Sequence, residues 1–139
     1  MHFEEIIRQL ATHLRLPALA PETDGTCAIQ FDAIAVALVP HPERGGFAAR
    51  AQIGNIARPD YAQSMEALLG ANLFDRDIGN SVLGMDAGGD VYLTQHFKYG
   101  PLTMEGFLAA LRRFVNRAEQ WQQRLIVNVQ SQGALPQEV

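Results

Sequence analysis

A chain of 139 residues, 47% hydrophobic and 19% charged, is sized for one domain with its own core, and that balance excludes a disordered polypeptide. Eleven basic against fifteen acidic residues give a net charge of -4. That is the wrong sign for a protein that grips a phosphate backbone through Lys and Arg, and only Arg112-Arg113 stand together, so no nucleic-acid partner is expected.

The first segment places Phe3, Ile6, Ile7, Leu10 and Leu14 on one helical stripe, with Glu4, Glu5, Arg8, Gln9 and Thr12 off it. Pro17 stops that helix, and Pro21 with Asp24-Gly25 forms a loop. The period then switches to two. Cys27, Ile29 and Phe31 alternate with Thr26, Ala28 and Gln30, and beyond a tight turn at Asp32-Ala33 the residues Ile34, Val36 and Leu38 alternate with alanines. Pro40, Pro42 and Gly45-Gly46 mark the next loop. Phe47, Ala49, Ala51 and Ile53 alternate with Arg50 and Gln52 in a third strand.

Pro59-Asp60 opens a second helix, with Asp60 and Gln63 at capping-box spacing and a stripe of Tyr61, Met65, Leu68, Leu69 and Leu73. Two strands follow, Ser81 to Asp86 and Asp90 to Phe97, joined through Ala87-Gly88-Gly89, where glycine supplies the positive φ of a tight hairpin. Pro101 and Thr103 lead into the longest helix, whose Met104, Phe107, Leu108, Leu111, Phe114 or Val115, Ala118, Trp121 and Leu125 recur at helical spacing. Residues 127–139 read as a polar, frayed tail carrying Gly133 and Pro136. The order α-β-β-β-α-β-β-α is that of a single α+β domain over residues 1–126, with helices covering a twisted antiparallel sheet.

Groups able to do chemistry do not converge. His2, His13, His41 and His96 fall on a terminus, a helix, a loop and a strand, without the paired spacing of a metal site. Cys27 is the single cysteine, so no intrachain disulfide or cysteine-based zinc site is available, and its alternation places it inside. Gly84-x-x-x-Gly88-Gly89 lacks the Lys-Ser/Thr of a phosphate loop and sits in a hairpin. Asp86 and Asp90 flank a glycine turn, a position where carboxylates hold backbone amides, although a carboxylate dyad has the same residues. Ser64 and Ser81 have no histidine beside them. An enzyme and a cofactor are therefore not expected. Acids at Glu4 and Glu5 stand where a signal peptide needs bases, and no apolar run nears the ~20 residues of a membrane span, so a reducing cytoplasm is the expected location.

Four stretches carry a resemblance. Gly25-Thr26-Cys27-Ala28-Ile29-Gln30-Phe31-Asp32, Leu68-Leu69-Gly70-Ala71-Asn72-Leu73, Leu83-Gly84-Met85-Asp86 with Val91 and Leu93, and Phe107, Leu111, Phe114-Val115 with Ala118-Glu119-x-Trp121 resemble, in order and spacing, the class I chaperones of bacterial type III secretion. Leu14-Arg15-Leu16 stands where that family often has Leu-Gly-Leu, and Gly79-Asn80 where it often has two glycines. The resemblance implies an ATP-independent holder in the bacterial cytoplasm, binding the N-terminal segment of a secreted effector as a homodimer, with the secretion ATPase as a further partner it could meet. It implies effector contact by the first helix and first three strands, at Leu14, Leu16, Ile29, Phe31, Ile34, Val36, Leu38 and Arg50. It implies a two-fold interface at Met65, Leu68, Leu69, Leu73, Val82, Leu83 and Met85.

The residues themselves leave alternatives. Ala33, Ala35, Ala37, Ala48, Ala49 and Ala51 either keep a sheet surface low enough for an extended peptide or let helices pack closely. A same-fold adaptor outside secretion, or a small-molecule-binding or enzymatic α+β domain with a pocket between sheet and helix, would show the same periodicities.

Overall fold

The computed structural model describes residues 2–56, 62–74 and 80–131. The elements are α1 (Phe3–Leu14), β1 (Cys27–Phe31), β2 (Ile34–His41), β3 (Gly46–Asn55), α2 (Ala62–Phe74), β4 (Ser81–Met85), β5 (Asp90–Lys98) and α3 (Met104–Ser131), in the expected order. A short 3-10 turn, Pro42–Arg44, links β2 to β3. The second-helix cap at Asp60 and the stripe residue Tyr61 lie outside the described residues, as do the side chains of Gln63 and Phe74 and the tail from residue 132.

All five strands pair antiparallel in the order β1-β2-β3-β5-β4, which leaves β1 and β4 as the edges. Alternation fixes which side of each strand is covered. Cys27, Ile29, Ile34, Val36, Leu38, Phe47, Ala49, Ala51, Ile53, Leu83, Val91, Leu93 and Phe97 form one continuous core beneath α1 and α3. Helix α1 contributes Phe3, Ile6, Ile7 and Leu10, while Glu4 and Glu5 in its first turn and His13 in its last complement the helix dipole. Phe47 anchors the aromatic part of the core. Its ring lies 5.2 Å from Phe97, 5.3 Å from Phe107 and 5.7 Å from Phe3.

Ala49 and Ala51 face inward and let α3 lie close to β3, so for these two the helix-packing reading of the alanines holds. Ala28, Ala35 and Ala37 face the other way. Gly46 sits in a similarly tight place, where a Cβ would lie 1.9 Å from the Phe97 carbonyl oxygen.

Two local departures have clear causes. Arg15 takes the left-handed conformation (φ 57°) that glycine would adopt after a helix, and Leu16 N–H then donates to Ala11 C=O at 2.9 Å. The missing family glycine therefore leaves the helix exit intact, at the expense of local strain. Helix α3 runs to Ser131 rather than fraying at 127, because neither glycine nor proline interrupts the chain before Gly133.

Candidate functional site

Apolar surface is left over in two places. The first is the α2–β4 edge. Helix α2 has no polar face of the kind α1 shows, since Met65, Ala67, Leu68, Leu69, Ala71 and Leu73 surround its axis. Such a helix needs cover on more than one side. Leu68 and Leu83, both 5% exposed, pack into the subunit's own core, whereas Leu69 (65%), Leu73 (75%) and Val82 (52%) lie open to solvent. Met65 and Met85 are half-buried. The sequence-derived interface thus divides. Leu68 and Leu83 belong to the fold, and Leu69, Leu73 and Val82 remain as surface.

One polar side chain fastens this edge. The Asn72 amide donates to Leu83 C=O at 2.8 Å and accepts from Leu83 N–H at 2.7 Å. Leu83 pairs with Leu93 across the β4–β5 ladder, and its amide and carbonyl point outward toward α2. Asn72 therefore acts as a one-residue strand that closes the β4 edge where an unpaired strand would invite another chain. Neither periodicity nor spacing revealed this. The signal available was a polar amide within the apolar C-terminal half of the helix, Leu68–Phe74.

The second apolar area surrounds the end of α1. Leu16 is 40% exposed, Leu14 is half-buried, and a groove of about 530 Å³ between α1 and residues 17–21 is lined by Ile7, Ala11, Pro17, Leu19 and Pro21 with Arg8 and Arg15 at its rim. Edge strand β1 supplies half-buried Phe31. Four of the residues implied as client contacts need correction. Ile29, Ile34, Val36 and Leu38 are at most 4% exposed and face the helices, so they hold the core together and present nothing outward. Their bulk is the reason. The larger alternating set buries, and the alanines between them take the solvent side.

The family model of the Tir chaperone protein (CesT) family matches residues 5–122. The chain belongs to that family. The chaperone also resembles solved complexes. It matches a chain of the ExsC–ExsE complex with TM-score 0.74 and 25% identity, over 86% of this chain and 90% of that one. A chain of the HopA1–SchA chaperone–effector complex matches with TM-score 0.65 and 19% identity, over 86% and 88%. The Yersinia pestis type III secretion chaperone SycH, in complex with a YscM2 fragment, matches with TM-score 0.67 and 19% identity, over 84% and 97%. These likenesses and the family match identify a class I type III secretion chaperone, a family of chaperones rather than enzymes.

The polar groups of the chaperone serve its own structure where their partners are described. Asp86 Oδ1 accepts from Gly88 and Asp90 N–H, each at 3.0 Å, and Asp90 Oδ1 accepts from Asn55 at 2.7 Å, so both carboxylates tie the hairpin. Burial, followed by the charges of Asp86 and Asp90, pushes the Tyr92 hydroxyl up, leaving it a protonated donor at neutral pH. Burial also pushes the Cys27 thiol up, with Glu22 adding to it, which makes this sulfur a poor nucleophile. Among the described residues no group of three or more His, Cys, Asp or Glu could hold a metal ion, and no helix is long and apolar enough to cross a membrane.

Arg50 stands on the sheet face turned away from the helices. Around it lie Ala37 on β2, Thr94 on β5 and Val82 on β4, in one row across the strands, since Ala37 pairs with Arg50, Arg50 with Thr94 and Thr94 with Val82. Ala28 extends the row onto β1. A depression of about 450 Å³ between Arg50, Gly84, Met85, Asp86, Tyr92 and Thr94 lies on this face.

Proposed function

We propose that this protein is an ATP-independent chaperone that holds the N-terminal segment of a secreted effector, as a homodimer, in an extended and non-globular form for export. The observation that carries this reading is the placement of spare apolar surface. Among the described residues, the exposed large hydrophobic side chains are Leu16 at the end of α1 and Leu69, Leu73 and Val82 at the α2–β4 edge. The α2–β4 surface suits a two-fold contact, because a helix with apolar residues on more than one side, covered on one by its own core, gains most when a second copy covers exposed Leu69 and Leu73. The α1 groove and the free edge of β1 suit the client. With Leu83 of β4 fastened by Asn72, β1 is the edge able to offer main-chain hydrogen bonds to an extended peptide, and the groove lined by Ile7, Ala11 and Leu19, together with exposed Leu16, adds apolar contact.

Affinity in such an arrangement comes from length. Burying apolar surface at ~25 cal/mol per Å² must exceed the ordering loss of the segment, so many modest contacts are needed and no deep pocket. Release of the client for export, with the secretion ATPase as the partner that accepts the complex, completes the reading.

The test is co-expression with the effector that co-purifies from the native host, comparing wild type with Leu16→Glu. Leu16 is exposed, so the variant keeps its fold and its oligomeric state, and effector retention falls by about tenfold or more. Retention equal to wild type would remove the exposed end of α1 from the client path.

A further inference from the structure

The sheet face opposite the helices carries a charge pattern that the chaperone's -4 net charge would not suggest. Arg50 projects from the middle of β3, and Arg44 of the 3-10 turn reaches the same face, its Nη1 3.4 Å from His96 Nε2 on β5. The His96 ring, 5.7 Å from that of His41, accepts from the guanidinium in its neutral form and so places Arg44 over the sheet. Burial, then Arg44, His41 and Arg50, hold the imidazole below its usual pKa, which keeps it neutral in that role. The carboxylates nearby have other partners. Glu43 faces His41 at 3.4 Å, and Asp86, which shares the depression beside Arg50, accepts from hairpin amides while Asp90 accepts from Asn55. Among the described residues neither Arg44 nor Arg50 lies within ion-pair distance of a carboxylate.

Ala48, which pairs with His96 and Val39 between the two arginines, is covered by its neighbours, whereas exposed Ala28 and Ala35 and half-buried Ala37 leave a low small-residue surface from Arg50 toward β1. The two anchor points, at His96 and Thr94, are two residues apart along β5, a separation of about 7 Å. An extended polypeptide repeats its same-side residues at that same spacing.

We propose that this outer face is a second docking surface of the chaperone, which takes an extended acidic stretch of the protein client with carboxylates at alternate positions seated on Arg50 and Arg44. It rests on the effector-chaperone reading and adds the chemistry of the segment that crosses the sheet. Exposed alanines allow the client backbone close approach, and two guanidinium groups without a carboxylate partner among the described residues give it register, since each can take a carboxylate bidentately.

The probe is a fluorescein-labelled peptide of alternating glutamate and threonine, followed by anisotropy in low salt. The wild type binds it, and the Arg44→Gln/Arg50→Gln double variant weakens binding by about tenfold, as does raising the salt to about 0.3 M. Leu16→Glu leaves this binding unchanged while reducing effector retention, which separates the two surfaces. A glutamine–threonine peptide that binds equally well, or a double variant that binds as wild type does, overturns the proposal. If the double variant retains effector fully while Leu16→Glu loses it, the effector reading stands and the acidic dock falls. If the double variant sediments as a monomer where wild type is a dimer, the face lies between copies of this chain and the proposal also falls.

Discussion

Replacing Asn72 with alanine tests how α2 is joined to the sheet. The change deletes two short hydrogen bonds, 2.7 and 2.8 Å, that serve both backbone groups of Leu83. A neutral bond of this kind contributes about 1 kcal/mol net, and somewhat more when the partner left behind is shielded from water. Leu83 is 5% exposed, so replacement of both partners by water is incomplete, and the gross loss is about 2.5–3 kcal/mol. Alanine returns roughly 0.6 kcal/mol through its better helix propensity. The expected outcome is a destabilisation of about 2 kcal/mol, or about 6 °C in Tm for a chain of this length. Asn72→Asp should be no better near neutral pH, because its second oxygen would meet the Leu83 carbonyl without a proton between them. Urea unfolding at fixed protein concentration measures the loss, and amide exchange at Leu83 locates it. A loss below about 0.5 kcal/mol with Leu83 protection unchanged would refute the clamp.

Arg15→Gly relieves the left-handed strain at the end of α1 and should stabilise by about 0.5–1 kcal/mol after glycine's extra unfolded-state entropy, read as a higher urea midpoint. Gly46→Ala sets a methyl 1.9 Å from Phe97 O and 3.1 Å from Lys98 Cα, backbone that cannot move without opening β3 from β5; a loss of about 3 kcal/mol or more is expected by thermal unfolding. Leu69→Asp combined with Leu73→Asp should turn a dimer into a folded 15.3 kDa species in sedimentation, both positions being exposed in the single subunit. For His96 the folded pKa lies below the unfolded value of 6.5, so its contribution to stability is complete above that pH and is lost as pH falls through the depressed folded value. Arg44, His41 and Arg50 act on this ring, with Glu43 held by His41, and His96→Gln should flatten the decline in Tm below pH 6.5 relative to wild type.

Much of this architecture was legible in the residue pattern, and the failures share one cause. The 3.6-residue stripe of Phe3, Ile6, Ile7 and Leu10 and the two-residue alternation through Cys27–Phe31 and Ile34–Leu38 are local signals, and those elements fall where expected. Alternation, however, separates a strand's residues into two sets without stating which set meets the helices. Side-chain bulk decides that in β1 and β2, where Ile29, Ile34, Val36 and Leu38 lie inside and Ala28, Ala35 and Ala37 outside, whereas in β3 Ala49 and Ala51 lie inside with Phe47 and Ile53. The resemblance marked Asn72 as part of a motif but gave it no role, since its partner at Leu83 is fixed only when α2 docks beside β4. Arg44 and His96 are 52 residues apart and meet only through the β3–β5 pairing. Contacts of that separation have no periodic trace.

The stitched side of β4 gives the sheet a polarity that a polymer chemist would recognise. A monomer with two reactive ends joins into an endless ribbon, whereas a monomer with one can only terminate. With Asn72 occupying one rim and β1 without a further strand among the described residues on the other, even a crowded solution of this protein can add one foreign strand per molecule, or join β1 to β1 in a pair, and growth then stops. An edge closed on one side in this way limits growth of fibres from the protein's own sheet.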